Sequence, residues 1–176
     1  MNENYPVVVR HLDETGRIVI PGDIRKALRI REGDPLEISI SRESIILKKY
    51  NLIYNLGDVC TQMLSAFARK SNASCVICGT EHVITGRGIS ISSEAFLSDE
   101  TKYMILSKEP WFYQDGRTVD LLGSGRFPVA SIAPVINGGK AFGAVILLRY
   151  RNIEEWEFHR TEMLADMLSQ IIQDAQ

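Results

Sequence analysis

The stretch that decides the fold lies near the start of the chain, where residues 7–21 read VVVRHLDETGRIVIP. Two runs rich in β-branched residues, 7–12 and 17–20, flank the sequence DETG at 13–16, and this pattern predicts two strands joined by a turn. Proline has no N–H for a strand ladder but suits the first turn of a helix. Pro21 therefore predicts that a helix follows the second strand.

That helix and two further strands complete the first fifty residues. Ile24, Ala27 and Leu28 have the three- and four-residue spacing of a buried helical face. Alternation over 36–40 and the apolar run at 45–49 predict two more strands, so the order is β-β-α-β-β. A unit this small buries too little surface to be stable alone, and no cysteine is available to staple it. Self-association is the remaining source of stability, and a symmetric dimer is its commonest form.

The hydrophobic period changes after residue 52, which predicts a boundary between a domain at 1–52 and a second one at 53–176. The second domain is predicted to be α+β, with a largely antiparallel sheet, so the whole chain is of mixed α/β class. Its predicted helices lie at 52–70, 93–107 and 153–173, and its predicted strands at 74–78, 82–85, 128–136 and 141–150. The sequence NGGK at 137–140 is a strong hairpin signal between the last two strands.

Composition excludes several classes of protein. The 176 residues are 45% apolar and 24% charged, with a net charge of −2, which is typical of a globular chain and not of a disordered one. A protein that coats nucleic acid along its whole surface is therefore excluded. The charge is nevertheless uneven, because residues 10–31 contain six basic and three acidic side chains, a net of +3. Three cysteines without a signal-peptide pattern indicate reduced thiols in a cytosol, and no apolar run has the length of a membrane span.

Residues 9–38 and 45–50, above all the run GRIVIP at 16–21, closely resemble the AbrB family of swapped-hairpin transcription factors. The resemblance implies that two protomers interleave their hairpins into one small β-barrel that binds double-stranded DNA. It implies that the matching basic residues contact DNA, namely Arg10, Arg17, Arg25 and Lys26. Arg29 and His11 are weaker additions to this set. From charge alone, these bases could instead be solvated and pair with Asp13, Glu14 and Asp23.

The order of elements over 53–176 resembles that of a GAF domain, a family whose members bind various small molecules or none. The combination of the two domains implies a sequence-specific regulator of sporulation genes, an activator or a repressor depending on the promoter. The resemblance places it in the cytoplasm of the developing spore, and it implies no catalysis, cofactor, metal or membrane. The GAF-like domain would serve assembly or the sensing of an unidentified small molecule.

The helices predicted at the two ends of the second domain are both amphipathic. A sheet has two faces and does not easily cover every apolar side of both helices, so we expect them to pair across a two-fold axis as a helical bundle. The bundle would join two DNA-binding dimers into a tetramer. The residues predicted to form it are Leu56, Met63, Phe67, Met163, Met167 and Ile171. The alternative is that both helices pack wholly within their own domain.

Other constellations have both a chemical and a structural interpretation. Cys75 and Cys78 form a CxxC pair near His82 and Cys60, which could be a Cys₃His zinc site. The pair falls in a predicted strand, where residues three apart point to opposite faces, so core cysteines are favoured. His82 and His159 have no nucleophile or acid at a meaningful spacing and are predicted to be structural or surface residues. The aromatic run at 111–113 could wall a pocket or belong to ordinary packing.

Two other functions compete with the regulator. An antitoxin of the MazE type also has a swapped-hairpin barrel, but such antitoxins usually end in a short disordered tail that wraps a toxin. Here the barrel is followed by about 120 residues with the patterning of an ordered domain. The second competitor is a ligand-sensing or catalytic GAF module that its N-terminal domain only dimerises.

Overall fold

The computed structural model of the chain describes residues 7–28, 30–113, 117–150 and 152–175. The chain divides after Tyr50 into two compact units, two residues before the boundary that the sequence pattern predicts. The fold is of mixed α/β class, with a two-stranded hairpin in the first unit and an antiparallel sheet with helices in the second.

The first unit contains α1 (Gly22–Ala27), β1 (Leu36–Ser41) and β2 (Ser44–Lys49). The two strands pair as an antiparallel hairpin, and both confirm the sequence-based prediction. Pro21 is the N-cap of α1, as expected of a proline at a helix start. The strands predicted at 7–12 and 17–20 are wrong for the single chain, because the described residues before α1 contain no strand. A strand needs a hydrogen-bonded neighbour along its length, and here the backbone bonds are confined to the turn at 13–17.

The second unit is built on a five-stranded sheet in which every neighbouring pair is antiparallel. The strands are β3 (Ser74–Gly79), β4 (Val83–Arg87), β5 (Trp111–Phe112), β6 (Val129–Asn137) and β7 (Lys140–Leu148), in the spatial order β4-β3-β7-β6-β5. The hairpin predicted at 137–140 is confirmed: Asn137 pairs with Lys140, and both glycines between them have positive φ angles of 55° and 71°. β5 was not predicted from the sequence.

Four helices accompany this sheet: α2 (Leu52–Asn55), α3 (Gly57–Ala68), α4 (Asp99–Ser107) and α5 (Glu155–Asp174). The single helix predicted over 52–70 is wrong, because the chain leaves helical geometry at Leu56 and starts a new helix at Gly57. The helix predicted from residue 93 begins at Asp99 instead. Ser98 sets that start, since its side chain caps the helix by accepting a hydrogen bond from the Thr101 amide.

The sheet separates two apolar cores. One core lies between the sheet and α2, α3 and α5, and the other lies on the face that α4 and its flanking loops cover. β3 contributes to both by strict alternation, with Cys75 and Ile77 on the first face and Val76 and Cys78 on the second. No helix in the described residues is long and apolar enough to span a membrane.

Candidate nucleic-acid interface

The turn at 13–17 is the best-defined local feature of the first unit. The Asp13 carboxylate accepts hydrogen bonds from the Arg17 amide at 2.8 Å, the Thr15 amide at 2.9 Å and the Thr15 hydroxyl at 2.7 Å. Gly16 completes the turn with a φ of +78°, where a side chain would be strained. The hydrogen bond from the Arg17 amide, and then that from the Thr15 hydroxyl, lower the pKa of Asp13 below its ordinary value. Asp13 thus holds the turn rather than neutralising a base.

The four basic residues that the sequence analysis predicts to contact DNA are all exposed. Arg10 and Arg17 lie on either side of this turn, and Arg25 and Lys26 lie on α1. Within the described ranges, no carboxylate forms an ion pair with any of them; Arg10 makes only a local bond to the Val9 carbonyl. Pairing with Asp13, Glu14 or Asp23, the alternative that charge alone left open, is therefore not observed among the described residues. Arg29 lies outside the described residues, and the weaker candidate His11 is exposed.

The apolar face of α1 lies beside an open groove. The groove has a volume of about 450 Å³, and its walls include Val8, Val19, Ile20, Ile24, Leu28 and Leu47. The prediction that Ile24, Ala27 and Leu28 are buried is wrong for the single chain: Ile24 is half-buried, and the other two are exposed. The helix has only six residues, and the described part of this unit offers no layer to cover it.

Large apolar side chains lie exposed throughout this unit. Val19 is 75% exposed and Ile40 83%, and the others of this kind are Val7, Val9, Leu12, Ile18, Leu28, Ile38 and Ile45. By contrast, none of the described residues before Ile53 belongs to a buried core. Apolar area on this scale in a small unit is typical of an interaction surface.

The assembly residues predicted on the first helix are placed differently from expectation. Phe67 is only 5% exposed and packs in the core of its own unit, so its assignment to an intermolecular surface is corrected. Leu56 and Met63 are half-buried and pack against the same core. The helix uses its apolar face internally because the buried spacing on α3 runs through Cys60, Leu64 and Phe67.

The helix α5 presents an exposed apolar stripe on its outer side. Met163 is 54% exposed and Met167 49%, whereas Ile171 is half-buried. The neighbouring apolar residues Leu164 and Leu168 face the core instead. Trp156 extends the stripe and is 42% exposed; its ring lies under the Arg160 guanidinium, at 4.7 Å. Trp156 was missed, although its spacing from Met163 and Met167 could have revealed it.

The cysteine pair occupies a strand, as its spacing predicts. Cys75 and Cys78 are fully buried in different cores, and Cys60 is buried on α3. Burial raises the pKa of Cys60 to about 11 and that of Cys78 to about 12. These thiols are therefore protonated at neutral pH, and the described residues bring together no group of three or more metal-ligating side chains.

The two histidines have different surroundings. His82 stacks on the Tyr54 ring, with a centroid separation of 4.3 Å, and the edge of Phe96 approaches it on another side. Burial raises the pKa of Tyr54 to about 12. His159 is exposed on α5 beside Glu155 and Glu162. The two acids beside His159 show that the expectation of no acid at a meaningful spacing was wrong for this histidine.

Known proteins resemble this chain at two scales. Residues 9–54 match the family model described as antidote-toxin recognition MazE, bacterial antitoxin. The transition state regulatory protein AbrB of Bacillus subtilis (strain 168) is 56% identical over 43 residues, which are 24% of this chain and 45% of that protein. Stage V sporulation protein T of the same organism is 32% identical over 168 residues, covering 92% of this chain and 94% of that protein. Similarity of this extent across both units shows that the chain belongs to the family of stage V sporulation protein T.

Proposed function

We propose that the chain is a sequence-specific DNA-binding transcriptional regulator of sporulation genes, an activator or a repressor depending on the promoter. The observation that carries this proposal is the set of four exposed bases, Arg10, Arg17, Arg25 and Lys26, without a carboxylate partner among the described residues. They lie within residues 9–54, which match the family model, and 43 residues of the chain are 56% identical to the regulator AbrB. The proposed site of action is the cytoplasm of the developing spore.

The DNA-binding unit is proposed to be an interleaved dimer of residues 1–52. The exposed apolar side chains of this unit and the groove beside α1 give the partner its binding surface. The same partner would supply hydrogen bonds to the backbone of 7–12 and 17–20, which the sequence predicts as strands. In a dimer the two copies of the segment 10–31 together carry a net charge of about +6, since each copy of this segment has a net of +3. Such a surface releases counterions from DNA when it contacts the phosphates.

The chemistry of these basic side chains determines how the DNA sequence would be read. A guanidinium group presents a planar fork of donors that binds a phosphate or the O6 and N7 edge of guanine with two hydrogen bonds. Arg10, Arg17 and Arg25 have this fork, and we propose that they divide these two tasks. Lys26 has a single ammonium group and is proposed to contact phosphate. Arg29 joins this set as a further candidate from its sequence position.

The experiment that tests the function selects ligands from a random pool of DNA duplexes with the full chain. Fluorescence polarisation then measures the affinity of the selected duplex and of a scrambled duplex over a salt series. A regulator should prefer the selected duplex, and its affinity should fall linearly with the logarithm of salt concentration. Equal affinity for both duplexes, or no binding at low salt, would contradict the proposal. The second outcome would favour a sensory module that the first unit merely dimerises.

The second unit, proposed as residues 53–176, serves assembly or ligand sensing. The exposed stripe of Trp156, Met163 and Met167 on α5 supports a contact between copies of this unit. Pairing two such stripes would link two DNA-binding dimers into a tetramer. Linked dimers bind a DNA with two correctly spaced sites more tightly than a DNA with one, because the second contact is intramolecular.

An antitoxin is the second candidate function, since the matching family model is described as a bacterial antitoxin. A genetic test separates it from the regulator. Removal of an antitoxin from its host is lethal while the toxin remains, and removal of the toxin gene rescues growth. Normal growth with a sporulation defect would support the regulator, and lethality that the loss of a toxin rescues would support the antitoxin.

A further inference from the structure

A cavity at the N-terminal end of α5 is lined in part by the guanidinium group of Arg149. It has a volume of about 590 Å³, and its lining includes Tyr113, Ala130, Arg149, Ile153 and Phe158. Ala130 and Ile153 belong to the core on the α5 face of the sheet, so the cavity opens beside that core. Cavities of this size hold small organic molecules.

Arg149 is the distinctive group in this cavity. Its guanidinium lies over the Tyr113 ring, 3.6 Å from the centroid, and Arg149 itself is partly buried. Its Nε atom is buried and has no hydrogen-bond partner, and no carboxylate among the described residues forms an ion pair with the guanidinium. A partly buried cation without a counter-ion is costly, so an anion that enters the cavity gains an interaction that the protein does not satisfy by itself.

The backbone holds both members of this stacked pair in place. The Arg149 amide donates to the Pro128 carbonyl at 2.7 Å, and the Tyr113 amide donates to the Ala130 carbonyl at 2.8 Å. Pro128 directly precedes β6 and Ala130 lies in it, and β6 is an interior strand of the sheet. The backbone of both residues is therefore fixed, and stacking on Tyr113 restricts the rotation of the guanidinium before a ligand arrives.

The other walls of the cavity determine what kind of anion fits. Phe158 is fixed by an edge contact with Phe112, with ring centroids 5.2 Å apart; Ala130 and Ile153 are apolar, and Tyr150 and Asn152 add polar groups to the lining. The described lining residues include no carboxylate that would repel an anion. An inorganic ion would leave most of this volume and these apolar walls unused. A carboxylate attached to a flat, apolar body would use both the cation and the walls.

We propose that this cavity is a binding site for a small organic carboxylate, with Arg149 as its anion-binding group and Tyr113 and Phe158 as walls for its apolar body. The proposal deepens, and rests on, the ligand-sensing part of the proposed function. Its test contains no DNA, so failure to bind a carboxylate and failure to bind DNA are separate results.

The test titrates the full chain with three probes and follows binding by calorimetry and by the Nε–H cross-peak of Arg149 in a proton–nitrogen correlation spectrum. Benzoate has both the charge and the flat apolar body, benzamide has the body without the charge, and inorganic phosphate has the charge without the body. We expect saturable binding of benzoate at millimolar concentrations and a shift of the Arg149 cross-peak. Benzamide and phosphate should each bind at least about tenfold more weakly.

Two variants and one control connect binding to the proposed groups. Arg149→Gln should weaken benzoate binding at least about tenfold, and Tyr113→Leu should weaken it less, by releasing the guanidinium. Arg160→Gln is the matched control, because Arg160 also lies over an aromatic ring, that of Trp156, but outside the cavity lining. If Arg149→Gln does not fold, two other results still test the site. These are the shift of the Arg149 cross-peak in the wild-type chain and the weaker benzoate binding of Tyr113→Leu.

Three results would overturn the proposal. The first is the absence of benzoate binding to the wild-type chain at millimolar concentrations. The second is equal binding of benzamide or phosphate, because the site would then not recognise a carboxylate on an apolar body. The third is unchanged benzoate binding to Arg149→Gln, which would place the binding site elsewhere.

Discussion

At the scale of single residues, Gly143 leaves less room for a side chain than any other described glycine of the second unit. This residue pairs with Gly79 where β7 passes β3, and a Cβ atom on it would overlap the Cys78 carbonyl group. The neighbour that would have to move is backbone in the centre of the sheet, so relaxation is limited. Glycine is thus required here by space and not by a positive φ angle.

Gly143→Ala should therefore lower the free energy of unfolding by about 1–3 kcal/mol or more, as other overpacked core substitutions do. Urea denaturation of the full chain, followed by circular dichroism, measures the change. Gly57→Ala is the matched control, because a Cβ there meets only the Ile84 side chain at an ordinary distance of 4.0 Å and the residue is helical. Alanine favours a helix over glycine, so this control should be neutral or stabilising. Equal losses in both variants would contradict the argument.

Asp13 has two opposing effects on DNA binding, and two substitutions separate them. Asp13→Asn keeps an oxygen that can accept the Arg17 and Thr15 amides but removes a negative charge beside the bases, so affinity should be unchanged or higher. Asp13→Ala removes the charge and also the turn, so affinity should fall. Fluorescence polarisation measures both. Glu14→Gln is the control for charge alone; a gain in affinity in Asp13→Ala equal to that in Glu14→Gln would show that the turn is unimportant.

The pKa of Asp13 also gives this turn a defined pH dependence. The hydrogen bonds favour the ionised carboxylate and lower its pKa in the folded state. A group with a lowered folded pKa contributes stability above the ordinary carboxyl pKa and loses that contribution as the pH falls through the lowered value. The contribution of this turn to folding stability should therefore be constant around neutral pH and be lost only in acid. Asp13→Asn should not show this acid loss, which thermal unfolding over a pH series can check.

Arg17 is the base whose position the turn fixes most directly. Arg17→Ala should weaken specific DNA binding by about 1–3 kcal/mol if the side chain reads a base edge, and should reduce the salt slope by about one if it contacts a phosphate. Thermal unfolding should change little, because the side chain is exposed and the described residues show it no partner. Lys48→Ala removes an equally exposed base from β2 and is the matched control. Wild-type binding by Arg17→Ala would show that this face does not contact DNA.

At the scale of elements, continuous apolar strands with a glycine turn were predictable, and elements that depend on partners or single caps were not. β6, β7 and the turn at 137–140 follow from local pattern alone. The break at Leu56 and the late start of α4 depend on one residue each, and the periodicity of the surrounding sequence does not reveal them. β5 has two residues and forms by pairing with β6, so the local sequence pattern does not predict it.

The helix α5 allows a sharper test of assembly than α3 does. Met167→Glu places a charge on the exposed stripe, so it should lower the mass of the full chain in light scattering while leaving its unfolding midpoint nearly unchanged. Met63→Glu places the same charge against the unit's own core, so it should lower the unfolding midpoint. Gln62→Glu, at an exposed position of α3, is the control for added charge. An unchanged mass in Met167→Glu would contradict assembly through this stripe.

At the scale of the whole molecule, the sequence places the division of the chain within two residues of the observed one. The bases proposed to bind DNA could also be identified from sequence, because exposed charged residues are not rearranged by packing. The outward face of α5 could not be identified from sequence. The helix contains two apolar pairs, Met163 with Met167 and Leu164 with Leu168, and the helical period allows either pair to face the core. Only the position of the sheet distinguishes the two pairs.

The first unit can be tested by itself for its dependence on a partner. Residues 1–52 expressed alone should fold only as a dimer, because the described part of this unit has no buried core and exposes Val19 and Ile40 by 75% and 83%. Its melting temperature should rise with protein concentration, since folding and association are then one equilibrium. Val19→Asp should abolish folding if a partner covers this side chain, whereas a valine exposed to water in a stable monomer would tolerate the change. Analytical ultracentrifugation and thermal unfolding over a concentration series measure both effects. A folded monomer at micromolar concentration, or a Val19→Asp variant that folds as the wild type does, would contradict the interleaved dimer.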